Sequence, residues 1–350
     1  MKDNILLLFG GQSSEHEVSL KSVTTIYEHI DQNTFEVYPV GITKEGKWLL
    51  YRGADFDFTK NDWQHKGVPC ILSPDVTHGG LILLRDGQDF VKVRIDKVFP
   101  VLHGKYGEDG TIQGLCKLAQ IPFVGCGVLA SAVSMDKAFT KAIARQHGVP
   151  QADFVVIREA ELKDMDKVIT KIEEAFDYPY FIKPANAGSS VGISKAASKA
   201  ELKHGLLEAI KHDNKIVVEE TIVGREVETA VLGNEEVLVS GVGEIIAGAE
   251  FYDFEAKYNS STSETVVSAN IDLAVKHKIR RYAEIIFRAV DGKGLSRVDF
   301  FVTADNRVIF NEINTLPGFT KISMYPMLFE AEGISTRELI SRLIDLASLA

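Results

Sequence analysis

Residues 5–9 form an unbroken apolar run, the pattern of a strand covered on both faces, and Gly10-Gly11 ends it. Apolar positions then recur at helical spacing over 19–30, and 35–42 reads as a second strand. A hairpin is predicted at 81–94 around Asp86-Gly87, another strand at 97–101 and a short helix at 111–119. This alternation predicts an open α/β domain over residues 1–126.

Residues 128–146 read as one long helix, stopped by Gly148 and Pro150. A strand at 154–157, a helix at 162–176, a strand at 180–183, a helix at 199–212 and a strand at 215–219 follow. Together they predict a compact central α+β domain, 127–220. A third domain, 221–350, begins with strands at 225–232 and 237–243. Residues 248–268 carry no apolar period and are the best candidate for a mobile loop. Val275, Ile279, Tyr282, Ile286 and Ala289 recur at helical spacing, and a last helix is expected at 336–349. The chain shows no internal repeat and no low-complexity tract.

The period-two pattern near the end carries chemistry. Two β-branched and aromatic runs, 297–302 and 307–313, flank Ala304-Asp305-Asn306, a hairpin signal. A two-residue turn at Asp305-Asn306 sets Asp299 against Glu312 and Arg297 against Asn314, and a four-residue loop keeps that pairing. Arg297, Asp299, Glu312 and Asn314 then share one face, while Val298, Phe300, Val302 and Ile313 take the other. Directly opposed Cβ atoms lie about 5 Å apart, and like charges there repel. A cation is required. Arg297 itself is one answer; a divalent ion is the other, with Asn314 adding a neutral oxygen. Carboxylates and an amide without nearby Cys or His suit Mg²⁺, which keeps waters and borrows phosphate oxygens from a nucleotide.

Composition narrows the classes. At 350 residues the chain has room for two or three domains, and 45% apolar with 25% charged residues is the balance of a soluble globular protein. The net charge of −10 without a basic block excludes a nucleic-acid footprint. Cys70, Cys116 and Cys126 are scattered without metal spacing, as buried thiols in a reducing compartment would be. The apolar run at 5–9 is too short for a signal-peptide core, and no run approaches a membrane span. A cytoplasmic protein is expected, with small-molecule rather than nucleic-acid or membrane partners.

Other constellations are weaker alone. Lys183 ends an apolar strand, and Gly188-Ser189-Ser190-Val191-Gly192 then offers amides and hydroxyls to phosphate oxygens. No Gly-Lys-Ser/Thr follows the glycines, so this is no P-loop, and taken alone it is equally an ordinary strand connection. Taken alone, Lys137 is a solvated helix charge and the linker 219–226 an acidic turn, although Glu219 and Glu226 offer acceptors to an adenine amino group and ribose hydroxyls. Gly10-Gly11 lacks the spacing of a dinucleotide turn. Glu15 follows a strand end and suits a substrate ammonium group. His103 follows another strand end, where open α/β sheets bind ligands, though a lone histidine there is more often structural.

Taken together, these segments resemble the D-alanine–D-alanine ligase family of the ATP-grasp superfamily. The resemblance rests on GGQSSEHEVSLKS near the start, VLHGKYGEDGTIQG from Val101, LASAVSMDK from Leu129 and FIKPANAGSSVGISK from Phe181. FYDFEAKY from Phe251, LSRVDFF from Leu295 and NEINTLPGFTKISMYP from Asn311 complete it, in family order and across nearly the whole chain. It implies an ATP-grasp fold of three domains with ATP between the last two. The purine would sit near Glu219 and Ile222, with Glu226 at the ribose. Lys137 and Lys183 would hold phosphates, and Lys257 would reach the γ-phosphate when the loop at 248–268 closes. Asp299, Glu312 and Asn314 would hold two Mg²⁺ ions, with Mn²⁺ as a substitute.

The resemblance also implies that Glu15, Ser189 and Tyr258 form a hydrogen-bonded trio over the substrates. Glu15 and His103 would orient a first D-alanine, and Ser323 would bind the carboxylate of a second. ATP would convert the first carboxylate to an acyl phosphate, which the second amine attacks. Arg297 and the Gly318 N–H would stabilise the tetrahedral oxyanion. Relatives that make D-alanyl-D-lactate differ in the loop, whereas this chain keeps Lys257-Tyr258. Some serine-selective relatives are polar where Met324 stands, and an apolar pocket rejects an added hydroxyl by only about a hundredfold. His16 and Ala185-Asn186 depart from the family's commonest residues. The family often forms dimers, so a homodimer is expected by analogy.

Overall fold

The computed structural model describes residues 2–60, 62–84, 90–189, 191–246 and 264–349. The expected turn at Asp86-Gly87, Ser190, Lys257 and Tyr258 lie outside the described residues.

Strands β1 (Asp3–Gly10), β2 (Phe35–Ile42), β3 (Trp48–Leu50), β4 (Val68–Leu72), β5 (Gly80–Leu84), β6 (Phe90–Arg94) and β7 (Lys97–Val101) form one sheet, ordered β6-β5-β4-β3-β2-β1-β7. The apolar run of β1 is explained by its place. Ile5, Leu7 and Phe9 pack with Val23 and Ile26 of α1 (His16–His29) on one face. Leu6 and Leu8 pack with Ile112 and Cys116 of α3 (Thr111–Ala119) on the other; a short α2 (Trp63–Lys66) lies between α1 and α3 in the chain. Because β1 runs parallel to β7, the segments leaving their carboxyl ends meet. Ser13 Oγ donates to the His103 carbonyl at 2.7 Å, which sets Glu15 and His103 side by side.

The helix expected over 128–146 is two helices, α4 (Val128–Met135) and α5 (Lys137–Gln146). Asp136 breaks it. Its backbone is extended, and its carboxylate accepts from the N–H groups of Ala138 and Phe139. An aspartate that caps gains more at a helix start than inside a helix. The same carboxylate pairs with Lys215, both side chains being buried. Asp136→Ala removes the cap and strands a buried ammonium, so it is expected to cost about 3–5 kcal/mol, read by urea denaturation. A loss within the error of wild type would show that the pair contributes nothing.

A second sheet, β10-β9-β11-β8, is built from β8 (Phe154–Arg158), β9 (Tyr180–Pro184), β10 (Ser194–Ala196) and β11 (Lys215–Glu220). Helices α6 (Met165–Glu173) and α7 (Lys199–Ala209) cover it through Ile169, Leu202 and Leu206. A 3-10 turn over Glu159–Asp164 delays the start of α6 relative to the expected 162.

The third sheet has the order β14-β13-β12-β15-β16, from β12 (Arg225–Gly233), β13 (Val237–Ile246), β14 (Glu264–Val266), β15 (Gly294–Val302) and β16 (Val308–Asn314). Residues 264–266 of the expected loop are therefore a strand, paired to β13. Helix α8 (Leu273–Ala289) buries Val275, Ile279 and Ile286 as its spacing requires. Helix α9 (Met324–Ala331) is not among the elements the pattern predicts; Pro326 stands in its first turn, where proline is tolerated. Helix α10 (Thr336–Asp345) closes the chain. Tyr325, Phe329, Leu343 and Ile344 share one apolar cluster with Leu7 of the first sheet, Val23 of α1 and Ala230 of the third sheet. Phe123 and Ser348 exchange both backbone hydrogen bonds, at 2.9 and 3.1 Å, so the chain end is tied to its first third. No helix among the described residues is long and apolar enough to cross a membrane.

Candidate active site

In the β15–β16 hairpin Asp299 lies opposite Glu312 and Arg297 opposite Asn314, as expected, but the route differs. Thr303 and Arg307 close a three-residue turn with Asn306 in the left-handed region at φ 62°. Phe300 therefore pairs with Phe310, one residue off the expected register. A bulge at Asn311 takes up the extra residue and restores the pairing at the site. Strand β12 extends the row: Glu228 lies opposite Asp299, so Glu228, Asp299 and Glu312 stand in line across three strands. Arg297 answers this row. Its guanidinium forks onto Asp299 at 2.8 and 2.7 Å and reaches Glu228 at 3.1 Å. Burial opposes its charge, but Asp299 and Glu228 outweigh that and raise its pKa further. Asn314 Nδ2 donates to Asp299 at 3.2 Å.

Beyond this row lies a cavity of about 330 Å³ between the second and third sheets. Lys137, Lys183, Glu219, Ile222, Glu226 and Glu312 line it, so the residues singled out for a nucleotide are brought together. Lys183 Nζ donates to Glu219 at 2.9 Å. Lys141, a residue missed in the sequence, is buried behind Glu219 at 3.4 Å. Burial raises the Glu219 carboxyl, but Lys141 and Lys183 outweigh it and the net shift is downward. Burial also pulls Lys183 down, yet Glu219, with Glu312 and Glu226, carries the net shift upward. For Lys141 burial wins and its pKa falls. The signal for Lys141 was its position one helical turn after Lys137, where a charge on the inner face of α5 has to find a partner.

A second cavity, of about 200 Å³, is lined by Glu15, His103, Arg297, Gly318, Ser323 and Met324. Ser189, in the left-handed region at φ 48°, donates its hydroxyl to Glu15 Oε1. His103 sits in a chain of bonds with assigned directions. Its Nδ1–H donates to the Leu316 carbonyl at 2.9 Å, Ser22 Oγ donates to Nε2 at 3.1 Å, and the Phe319 N–H donates to Ser22 at 3.1 Å. Burial outweighs the pull of Glu15 and holds His103 below its ordinary pKa, in keeping with a neutral ring. The Gly318 N–H has no hydrogen-bond partner among the described residues. A Cβ there would meet Ser323 Oγ at 2.9 Å. Ser323 precedes α9 but leaves its cap unmade, its Oγ instead accepting from the Thr320 N–H at 2.9 Å. Lys137, Ser189, Asn311 and Glu312 line both cavities, so the two spaces meet there.

Comparison with known proteins decides the family. The family described as D-ala D-ala ligase C-terminus matches residues 143–345, and that described as D-ala D-ala ligase N-terminus matches residues 4–126. The chain belongs to the D-alanine–D-alanine ligase family. It is 50% identical to the D-alanine–D-alanine ligase of Acetivibrio thermocellus, over 99% of this chain and 96% of that one. It is 49% identical to that of Caldicellulosiruptor bescii, over 99% and 95%. Among solved structures, the VanG D-Ala:D-Ser ligase from Enterococcus faecalis superposes with a TM-score of 0.91 at 38% identity, covering 99% of both chains. The D-alanine–D-alanine ligase from Coxiella burnetii superposes at 0.87 with 34% identity, covering 99% and 93%.

The chain is thus a ligase with the ATP-grasp fold, of an ATP-dependent and generally Mg²⁺-dependent family. Its own residues fit a hard divalent ion. The donor set at the row is two carboxylates and an amide, all oxygen ligands, beside a cavity from which waters and phosphates can complete the shell. Among the described residues no group of three His, Cys, Asp or Glu side chains forms a metal cluster by itself. Glu228 was legible once β12 was put in register with β15, a step the hairpin alone does not require.

Proposed function

We propose that the chain joins two D-alanine molecules at the expense of ATP, through an acyl phosphate, and supplies the dipeptide for peptidoglycan synthesis. The observation that carries this reading is the junction of the two cavities at Lys137, Ser189, Asn311 and Glu312. A triphosphate in the larger space presents its terminal phosphate to a carboxylate in the smaller one.

The larger space takes ATP. Glu219, with Ile222, faces the purine, Glu226 the ribose, and Lys137 and Lys183 the phosphates, with Lys257 completing the γ-phosphate site. Asp299, Glu312 and Asn314 would hold two Mg²⁺ ions, or Mn²⁺ in their place, and the ions would supply positive charge against the transferring phosphoryl group. Glu15 and His103 orient the first D-alanine, whose carboxylate is a poor acyl donor until phosphorylated. The Ser189–Glu15 pair lies over both substrates, and Tyr258, outside the described residues, is the third member the family resemblance implies. The amine of the second D-alanine then attacks, and phosphate leaves. Arg297 and the free Gly318 N–H face the oxyanion that develops. Ser323, at the amino end of α9, receives the second carboxylate, where helix N–H groups favour an anion. Closing the segment 248–268 would exclude water from the acyl phosphate.

Met324 supports alanine as the second substrate. It is 4% exposed and presents an apolar wall to the smaller cavity, next to Ser323. The resemblance to a D-Ala:D-Ser ligase makes D-serine the competing acceptor. With equal D-alanine, D-serine and D-lactate, the mixed serine product is expected at about one part in a hundred, read by mass spectrometry. A dominant serine or lactate product would overturn the assignment, and phosphate release without any amino acid would overturn the ligase reading. A cytoplasmic homodimer completes the proposal.

A further inference from the structure

We infer that Glu108 is a second receiver of the first D-alanine's ammonium group, sharing it with Glu15. The inference rests on the ligase reading and adds a residue to its substrate site. Glu108 follows β7, is half-buried and lines the smaller cavity with Glu15.

The two carboxylates converge on Gly104. Glu108 Oε1 accepts from the Gly104 N–H at 2.9 Å. A Cβ added at Gly104, whose φ is 67°, would stand 2.6 Å from Glu15 Oε2. Only a residue without a side chain lets Glu15 approach so closely, while Glu108 holds the same residue by its N–H. Glu15 is 7% exposed, and its Oε1 takes the Ser189 hydroxyl. No hydrogen bond to its Oε2 is found among the described residues, and Glu15 lines the cavity. Neither acid has an ion-pair partner among the described residues. The neighbouring cation, Arg297, is already committed to Asp299 and Glu228.

Two carboxylates in so enclosed a space call for a cation with several donors. A substrate ammonium brings three N–H groups. In the empty cavity the charge is relieved differently. Burial and then the Glu15 charge push Glu108 up to about 8, against the pull of the Gly104 and Leu316 backbone and of Arg297. The adjacent His103 ring, held below its ordinary pKa, adds no balancing charge at neutral pH. Glu108 therefore carries a proton at neutral pH. An arriving ammonium takes that proton's place, the carboxylate ionises, and one proton leaves to solvent. Affinity for the first D-alanine then rises with pH up to about 8 and levels off, until the substrate's own ammonium titrates.

The test is calorimetry of D-alanine binding to the full chain with Mg²⁺ and a non-hydrolysable ATP analogue, in buffers of different ionisation enthalpy. Close to one proton is expected to be released at about pH 7 and few at about pH 9. Propionate, which lacks the ammonium, is expected to release none. Glu108→Gln should abolish the release and raise KM for the first D-alanine by about tenfold to a hundredfold, leaving KM for ATP unchanged. Glu108→Asp should restore part of the release. Binding to wild type without proton release at about pH 7, equal release by propionate, or a Gln variant that keeps release and KM would each overturn the inference. Should the Gln variant not fold, the wild-type proton count and the propionate comparison still decide it. Wild-type protein that makes no dipeptide overturns the ligase reading instead.

Discussion

Arg297→Met is expected to lose about a thousandfold in kcat while binding an ATP analogue within a few fold of wild type. Arg297 lines the substrate cavity and not the nucleotide cavity, so its loss should be felt at the reacting carbonyl. The same change removes the guanidinium that holds Asp299 and Glu228, leaving Glu228, Asp299 and Glu312 in line without their cation. A cost of about 3–5 kcal/mol in the ligand-free protein follows. Mg²⁺ with nucleotide should restore more stability to this variant than to wild type, because the ion takes over the neutralisation. Phosphate release, calorimetric binding and thermal melts with and without Mg²⁺ read the three parts. Wild-type turnover in the variant would remove Arg297 from the mechanism.

Asp299→Asn should act in the opposite sense on the empty protein. Arg297 keeps Glu228, one carboxylate of the row is gone, and the ligand-free fold should be close to wild type in stability. Turnover should nevertheless fall roughly a thousandfold, since metal neutralisation of phosphoryl charge is worth several kcal/mol. The Mg²⁺ concentration for half-maximal activity should rise, and Mg²⁺ with nucleotide should no longer raise the melting temperature. A variant with the wild-type Mg²⁺ requirement would exclude Asp299 as a ligand. The pair of substitutions separates the roles: one harms the empty protein and is helped by metal, the other leaves it intact and is blind to metal.

The pairing of the β15–β16 hairpin was legible because side-chain alternation constrains faces strongly. It was legible in part by compensation, since a shorter pairing step at the turn and an extra residue at Asn311 offset each other. The bulge also explains why Asn311 and Glu312, neighbours in sequence, line the same cavities. Local pattern misled at Asp136, where a side chain that caps a helix also pairs with Lys215 from a distant strand. It also left α9 unpredicted. Glu228 takes its meaning from Arg297, far along the chain, so composition and spacing could not single it out, and Lys141 showed only its spacing from Lys137 and not its partner Glu219. The family resemblance named neither residue.

The bonds between Phe123 and Ser348, and the apolar cluster that α9 and α10 share with β1, bear on how the enzyme fails. They clamp segments far apart in sequence, and the walls of the smaller cavity come from both sides of the clamp. Loosening it opens the pocket while each sheet is still whole, so gentle heating should silence the ligase before it melts the fold.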